Sequence, residues 1–318
     1  MSPRRILITG GSGFVGQWLC RHYLSQGDTV VAGTVDQATG PAVLTHEQRQ
    51  AVQWVPLDTT SDDQVSRAVD RTAPDLVAHL AAMAFSPDAT ASPAKAFEVN
   101  ALGALRLLSR LGKVGAKGVR VLVIGSAEQY GANSGAVTPL PETVALAPLT
   151  VYAASKATQE LIGMQIARSL SLQVVCTRSF NHSGFGHGSQ YLFPALVDRA
   201  RGLPKQGGKL PMGNGSPVRD YLHVADVVSA YAALLERGVS GEAYNVSSGR
   251  GMTITAIAER VLLRLGTIAE ITTDAALVRP VDVPVLVGDN AKLRAATGWS
   301  PRFSVDDIID DLIHASTR

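Results

Sequence analysis

Two cysteines in 318 residues exclude a disulfide framework of the kind that staples small secreted domains. Cys20 and Cys176 lie far apart, in the apolar settings Trp18-Leu19-Cys20 and Val174-Val175-Cys176. Buried thiols in a reducing cytosol are expected, with a disulfide as the alternative. Charge of one sign is also lacking. The formal net charge is +2, with no basic tail or single-sign block, which argues against a dedicated nucleic-acid binder. Long hydrophobic runs are absent, and none approaches the about 18 apolar residues of a membrane span. The apolar stretch after Arg4 and Arg5 is only Ile6 to Thr9, too short for a signal peptide. A cytoplasmic protein without membrane or nucleic-acid partners is expected. No repeat, low-complexity segment or metal-ligating set is evident, and His187 reads as a loop histidine.

What is present is core-forming material, 46% hydrophobic against 18% charged, enough for one large domain or two ordinary ones. Apolar strands at 6–8, 29–35, 52–58, 74–82, 120–128 and 172–180 alternate with helical segments at 15–26, from Ser61 onward, at 95–111 and at 152–170. Ser61 is an N-cap followed by two acids. This rhythm predicts an α/β fold, a doubly wound, mostly parallel Rossmann sheet with right-handed crossovers. Near-continuous apolar strands fit burial on both faces. After about residue 180 the rhythm breaks into segments rich in Gly, Pro, Asn and His, then helices at 224–237, 255–265 and 304–315 around a short strand at 242–248. Residues 1–178 are therefore expected to form a dinucleotide-binding domain. Residues 179–318 would form a smaller α/β substrate domain, with part of the chain near 219–248 returning to the first.

The stretch "ILITGGSGFVG" (6–16) joins a strand to a helix through Gly10, Gly11, Gly13 and Gly16. It satisfies both G-x-G-x-x-G and G-x-x-G-x-x-G. Strand, glycine turn and helix start seat a diphosphate on backbone N–H groups. Asp36 ends the second strand, where an acid accepts hydrogen bonds from a ribose and repels a 2′-phosphate. NAD is thereby favoured over NADP, although a solvated loop acid is the alternative. Asp58 is a candidate for the adenine edge or a plain loop acid. The small residues of "HLAA" (79–82) either let a cofactor approach Leu80, Ala81 and Ala82 or serve helix–sheet packing.

"VYAASK" supplies Tyr152 and Lys156, four apart and on one helical face. A phenol titrates near about 10, and an ammonium beside it, with a cationic nicotinamide, is expected to lower that value. Ser126, at the end of "VLVIGS", offers a hydroxyl where strand ends line the ligand crevice.

These residues resemble the extended short-chain dehydrogenase/reductase family, in its nucleotide-sugar branch, over residues 4 to 314. The resemblance rests on "TGGSGFVG", "HLAA", Asn100, "GSAEQYG", "YAASK", "RSFNHSG", "RDYLHVADVV", "YNVSSG", "RPVDVP" and "TGWSP". "RSFNH" and "GNGSPVRDYLHVAD" are most similar to enzymes of GDP-mannose derivatives, the GDP-4-keto-6-deoxymannose reductases and GDP-mannose 4,6-dehydratases. The short "FNHSGFGHG" and the lack of arginines in "TVDQATG" favour the reductases. A C4 keto reduction, a 4,6-dehydration and a 4-epimerisation are the reactions the resemblance implies, with a non-catalytic dinucleotide-binding protein as the remote alternative. It further implies that Gly10, Gly13, Phe14, Val15, Gly16 and Asn100 bind cofactor and that Tyr152 protonates the C4 oxygen. Lys156 would bind the ribose, and Ser126 would hold the C4 oxygen. Asn181, His182, Arg219 and Arg279 would bind substrate, the arginines at the diphosphate. Arg219 has an ion pair with Asp220 or Asp226 as its alternative. Glu128 is the residue dehydratases of the branch use as base. Phe185 and Ala84 depart from the usual proline and serine, and Ala127 lacks an acid found in some sugar dehydratases. A homodimer through helices 95–111 and 152–170 is expected.

Overall fold

The computed structural model describes residues 3–35, 43–115, 118–170, 172–278 and 282–314. The N-terminal half alternates strand and helix as predicted. The chain runs β1 (Arg5–Thr9), α1 (Phe14–Ser25), β2 (Thr29–Thr34), α2 (His46–Ala51), β3 (Gln53–Pro56), α3 (Asp62–Thr72) and β4 (Leu76–His79). Then come α4 (Ser86–Ala91), α5 (Pro93–Phe97), a π turn (Glu98–Leu102), α6 (Gly103–Lys113), β5 (Arg120–Ser126), a 3₁₀ segment (Ala127–Asn133), α7 (Val151–Ser169) and β6 (Gln173–Ser179). The irregular half holds more regular structure than its composition suggests. It contains β7 (Asn181–Ser183), α8 (Leu192–Arg201), β8 (Gln206–Met212), β9 (Val218–His223), α9 (Val224–Arg237), β10 (Ala243–Val246) and β11 (Gly251–Thr253). It closes with α10 (Ile254–Leu265), β12 (Ile268–Thr273), β13 (Val285–Leu286), α11 (Ala291–Thr297) and α12 (Val305–His314).

Seven strands form one sheet in the order β10-β6-β5-β4-β1-β2-β3, every pair parallel. The doubly wound expectation holds, and its physical basis is visible in β1. Ile6 and Ile8 enter one core with Leu19, Val30, Val227 and Leu234, while Leu7 enters the other with Val77, Leu107, Val121 and Val174. Successive strand residues point to opposite faces, so a strand covered on both sides must be apolar throughout. Because β4 and β2 lie on either side of β1, the crossovers diverge there, and a crevice opens at the carboxyl ends of β1 and β4.

Several predicted strands are trimmed. The 120–128 strand stops at Ser126, where the serine hydroxyl accepts the Glu128 N–H and the chain turns into 3₁₀ geometry. The 95–111 helix is continuous but carries the π turn around Asn100. Such an extra residue per turn re-aims a side chain and often marks a functional site.

β7, β9, β11 and β13 form a small mixed sheet, and β8 pairs with β12. A separate core of Phe193, Leu196, Leu210, Met212, Ile257, Val261, Ile308 and Leu312 packs there. Within 219–248, β10 joins the large sheet but β9 belongs to the small one. Cys20 and Cys176 are free and buried, and burial pushes the Cys20 thiol up to about 12. Among the described residues no helix is long and apolar enough to cross a membrane, and no cluster of metal-ligating side chains exists.

Leu107 is fully buried on the α6 face that meets the sheet. Leu107→Ala is expected to cost about 2–5 kcal/mol of unfolding free energy. Urea unfolding would show it as a lower midpoint at unchanged slope.

Candidate active site

The glycine turn is built around steric necessity. Gly10 sits at φ +66°, and a Cβ on it would stand 2.9 Å from the Ala81 nitrogen. A Cβ on Gly16 would stand 2.3 Å from the Gly10 carbonyl oxygen. Gly13 is the exposed N-cap of α1, with no side chain capping the helix and no acid in its first turn. The first N–H groups and the positive helix end therefore face outward beside Phe14 and Val15, which suits an anion. The Thr9 hydroxyl accepts the Ala81 N–H at 3.1 Å, and the Leu80 N–H reaches the Thr9 carbonyl at 3.3 Å. These bonds draw Leu80, Ala81 and half-buried Ala82 against the turn. The cradle thus fits a dinucleotide diphosphate. Asp36 and Arg279 lie outside the described residues. Asp58 uses Oδ1 to accept the Thr60 N–H and hydroxyl, both at 2.8 Å, so it shapes the turn before α3.

Asn100 is fully buried on the π turn. It accepts the Met83 N–H at 2.8 Å and donates to the Met83 carbonyl at 3.3 Å and to Ser155 Oγ at 2.8 Å. Ser155 in turn donates to the Tyr152 carbonyl at 2.8 Å. Asn100 thus ties the segment after β4 to the start of α7, which Thr150 caps through the Ala153 N–H.

Tyr152 stands on the first turn of α7, near enough to Ser126 for the serine to favour its charged form. The protein's own groups raise its pKa. Burial is the main cause, and the nearby Glu128 carboxylate adds to it, while Ser126 opposes. The Lys156 ammonium donates to Gln159 Oε1 at 2.6 Å, and burial lowers its pKa to about 7. The protein's own residues therefore leave a protonated phenol beside a lysine that readily becomes neutral. Sequence reasoning missed two neighbours. His79, bonded through Nδ1 to the Thr9 hydroxyl at 2.8 Å, is held neutral by burial, to about 3. Its Nε2 and the Gln159 Nε2 are buried without partners among the described residues. A polar residue at the end of a strand otherwise apolar was the available signal for His79.

Asn181 and His182 lie on β7 at the far wall. His182 Nδ1 bonds the Phe180 carbonyl at 3.0 Å, and burial keeps the ring neutral. Arg219 pairs with Asp282 and donates to the Val218 carbonyl at 2.8 Å and the Val283 carbonyl at 2.6 Å. Neither Asp220 nor Asp226 is its partner. Asp220 instead accepts the Ser248 and Gly249 N–H groups, and Asp226 those of Arg302 and Phe303. His187 lies in a loop, as expected, and packs there among aromatic rings. Its ring stacks on Phe14 at 4.5 Å and on Tyr191 at 4.2 Å, and Tyr191 meets Phe85 edge-on. Phe185 replaces the usual proline and is pinned at both ends. Its N–H donates to Asp311 at 2.8 Å and its carbonyl accepts from Trp18 at 2.9 Å.

Residues 7–312 match the family model described as GDP-mannose 4,6 dehydratase. The chain belongs to this family. The GDP-6-deoxy-D-mannose reductase of Pseudomonas aeruginosa is 31% identical over 304 residues, covering 95% of this chain and 93% of that one. The structure of RMD from Pseudomonas aeruginosa complexed with NADPH superimposes with a TM-score of 0.81 at 29% identity, covering 98% of both chains. The Thermus thermophilus UDP-glucose 4-epimerase, complexed with NAD, gives a TM-score of 0.83 at 28% identity, covering 97% of this chain and 99% of that one. As a member of the extended short-chain dehydrogenases/reductases, the chain is a nucleotide-sugar-modifying enzyme that uses NAD or NADP.

The buried lysine carries a stability signature. An unfolded lysine keeps its proton to about 10.4, whereas native Lys156 gives it up at about 7. Between those values the unfolded state holds more protons, so this residue makes the cofactor-free protein more stable as pH rises. Lys156→Met removes the term. Urea unfolding across the pH range should find K156M more stable than wild type near neutrality, with the gap closing toward pH about 10. Parallel curves would refute it.

Proposed function

We propose that this enzyme reduces the C4 keto group of a nucleotide-linked 4-keto-6-deoxyhexose, GDP-4-keto-6-deoxymannose to GDP-rhamnose or its C4 epimer. The observation that carries the reading is the convergence of three side chains: Tyr152 on the first turn of α7, buried Lys156 one turn on, and Ser126 at the end of β5 close to Tyr152. The similarity to a GDP-6-deoxy-D-mannose reductase supports it. When bound, the reduced dinucleotide supplies hydride. Ser126 holds the C4 oxygen, and Tyr152 gives it a proton as negative charge develops. A phenol whose pKa is raised donates only to a strongly basic oxygen, which suits an acid in the reducing direction. Lys156 holds the ribose through its amine. Gly10, Gly13, Phe14, Val15 and Gly16 seat the diphosphate, with Leu80, Ala81, Ala82 and Asn100 alongside. Asp36 favours NAD, and Asp58 borders the adenine. Asn181, His182, Arg219 and Arg279 bind the nucleotide sugar. We assign residues 1–178, with α9 and β10, to the dinucleotide half and the remainder to the sugar half, in a cytoplasmic enzyme.

Glu128 favours a second reading, GDP-mannose 4,6-dehydration, because its carboxylate is close enough to act on Tyr152 electrostatically. Cofactor stoichiometry separates the two. Supplied with GDP-4-keto-6-deoxymannose and NADH or NADPH, a reductase consumes nicotinamide absorbance one for one. Conversion of GDP-mannose to a keto sugar with constant absorbance would establish the dehydratase. Tyr152→Phe is expected to lower kcat by about 10²-fold or more, while dinucleotide affinity, read by fluorescence titration, stays at the wild-type level.

A homodimer through α6 and α7 is also proposed. Leu102, Leu105 and Leu161 are exposed there, whereas Leu108 and Ile166 face the core. Light scattering should give twice the chain mass, and L105E combined with L161E should give a monomer. A monomeric wild type would overturn the assignment.

A further inference from the structure

Behind Ser126 lies a chain of buried polar groups that the proposed chemistry does not use. Gln129 is fully buried, Glu160 is 3% exposed and Arg178 is 7% exposed. The Gln129 amide is used in both directions. Its Oε1 accepts the Ser126 backbone N–H at 2.8 Å, and its Nε2 donates to Glu160 at 2.8 Å. Glu160 is gripped by Arg178 through two bonds of 3.0 and 2.8 Å. Arg178 also donates to the Tyr130 hydroxyl at 3.0 Å and the Glu142 carbonyl at 2.9 Å. A Cβ on Gly125 would come within 2.6 Å of Gln129 Oε1, so the residue before Ser126 leaves room for this approach.

The two ends of this link sit on the two elements that must meet. Ser126 closes β5, while Glu160 lies on α7, four residues after Lys156 and eight after Tyr152. Those three share one helical face. The turn is already capped by the Ser126 hydroxyl, which accepts the Glu128 N–H. Gln129 Oε1 completes a capping box on the Ser126 N–H, which a glutamate would also supply, so only the Nε2 donation to Glu160 goes beyond what the turn requires and reaches across to α7. An ionised glutamate could accept from Ser126 but not donate to Glu160, and an apolar side chain could do neither.

We propose that Gln129 is a positioning residue, bolting the Ser126 turn to α7 through Glu160 and Arg178 and so setting the register of the Ser126 hydroxyl against Tyr152. It rests on reading Ser126 and Tyr152 as the acting pair, whatever nucleotide-sugar conversion they carry out.

The test compares full-length Q129L and Q129E with wild type. Q129L loses both bonds and is expected to lower kcat by about tenfold to a hundredfold, the cost of a small misplacement at the reacting centre. KM and dinucleotide affinity should be unchanged, because the crevice and the β7 wall are untouched. Q129E sets a second carboxylate against Glu160, and in the interior the two are expected to share a proton. The groups around that pair are Arg178 on β6, Tyr130 on the 3₁₀ segment, Cys176, and Lys156 on α7. kcat of Q129E should therefore recover toward wild type as pH falls, with no matching change in the wild-type profile. Where Q129L fails to fold, this acid recovery carries the test alone. A folded Q129L with wild-type kcat, a loss of dinucleotide affinity in step with kcat, or a Q129E profile parallel to wild type would each overturn the proposal. If the wild type dehydrates or epimerises its substrate instead, the same comparison runs on that turnover. Failure of the reductase reading then leaves this inference standing or falling by itself.

Discussion

The bidentate pair between Glu160 and Arg178 joins the helix carrying Tyr152 and Lys156 to the strand beside Ser126, inside the protein. Two charges taken out of water return little net stability, since desolvation offsets most of their attraction. What the pair supplies is fixed geometry. Arg178 also donates through Nη1 to the Tyr130 hydroxyl and the Glu142 carbonyl, and the Tyr130 hydroxyl donates to Asn245 Oδ1 at 2.8 Å on β10. Three neighbouring elements of the large sheet, β5, β6 and β10, are thereby locked to α7 by polar contacts of defined length. Apolar packing alone would tolerate small slips between them.

The same economy governs the glycines. Gly10 and Gly16 are close-packed against backbone, and the space they leave is what lets Thr9, Ala81 and the start of α1 converge. The crevice is a consequence of topology, since it opens where β1 has β2 on one side and β4 on the other. The site then needs only strand ends and helix starts, which rigid elements hold well.

Much of this was legible in the sequence because it depends on local pattern. The alternation of apolar strands with helices, the glycine turn, and the four-residue spacing of Tyr152 and Lys156 are all short-range signals. Long-range partners were not. The mate of Arg219 is Asp282, sixty-three residues away, and nothing in the spacing distinguished it from neighbouring Asp220 or Asp226. His187 carried no local pattern, and its role in the ring stack exists only because α1 and the segment after β7 meet in space. The strands of the small sheet are short and polar-edged, so composition hid them. The sign of the Tyr152 shift was also beyond reach, because burial is a property of the assembled fold.

That sign bears on where the proton rests. Burial disfavours every charged form, so it raises the phenol and lowers the amine together. Glu128 pushes the phenol the same way. The pair is thus set toward a neutral acid rather than a resident phenolate. A phenol held protonated is a poor base for taking a proton from an alcohol. It keeps its proton until the oxygen of the carbonyl being reduced has become strongly basic, and gives it up only then. Ser126 opposes the shift, so its placement at the end of β5 matters to the phenol. The polar bolt behind Ser126 and the protonation of Tyr152 are therefore two ends of one constraint. The first holds the Ser126 turn against α7, and the second keeps the proton on Tyr152 at rest.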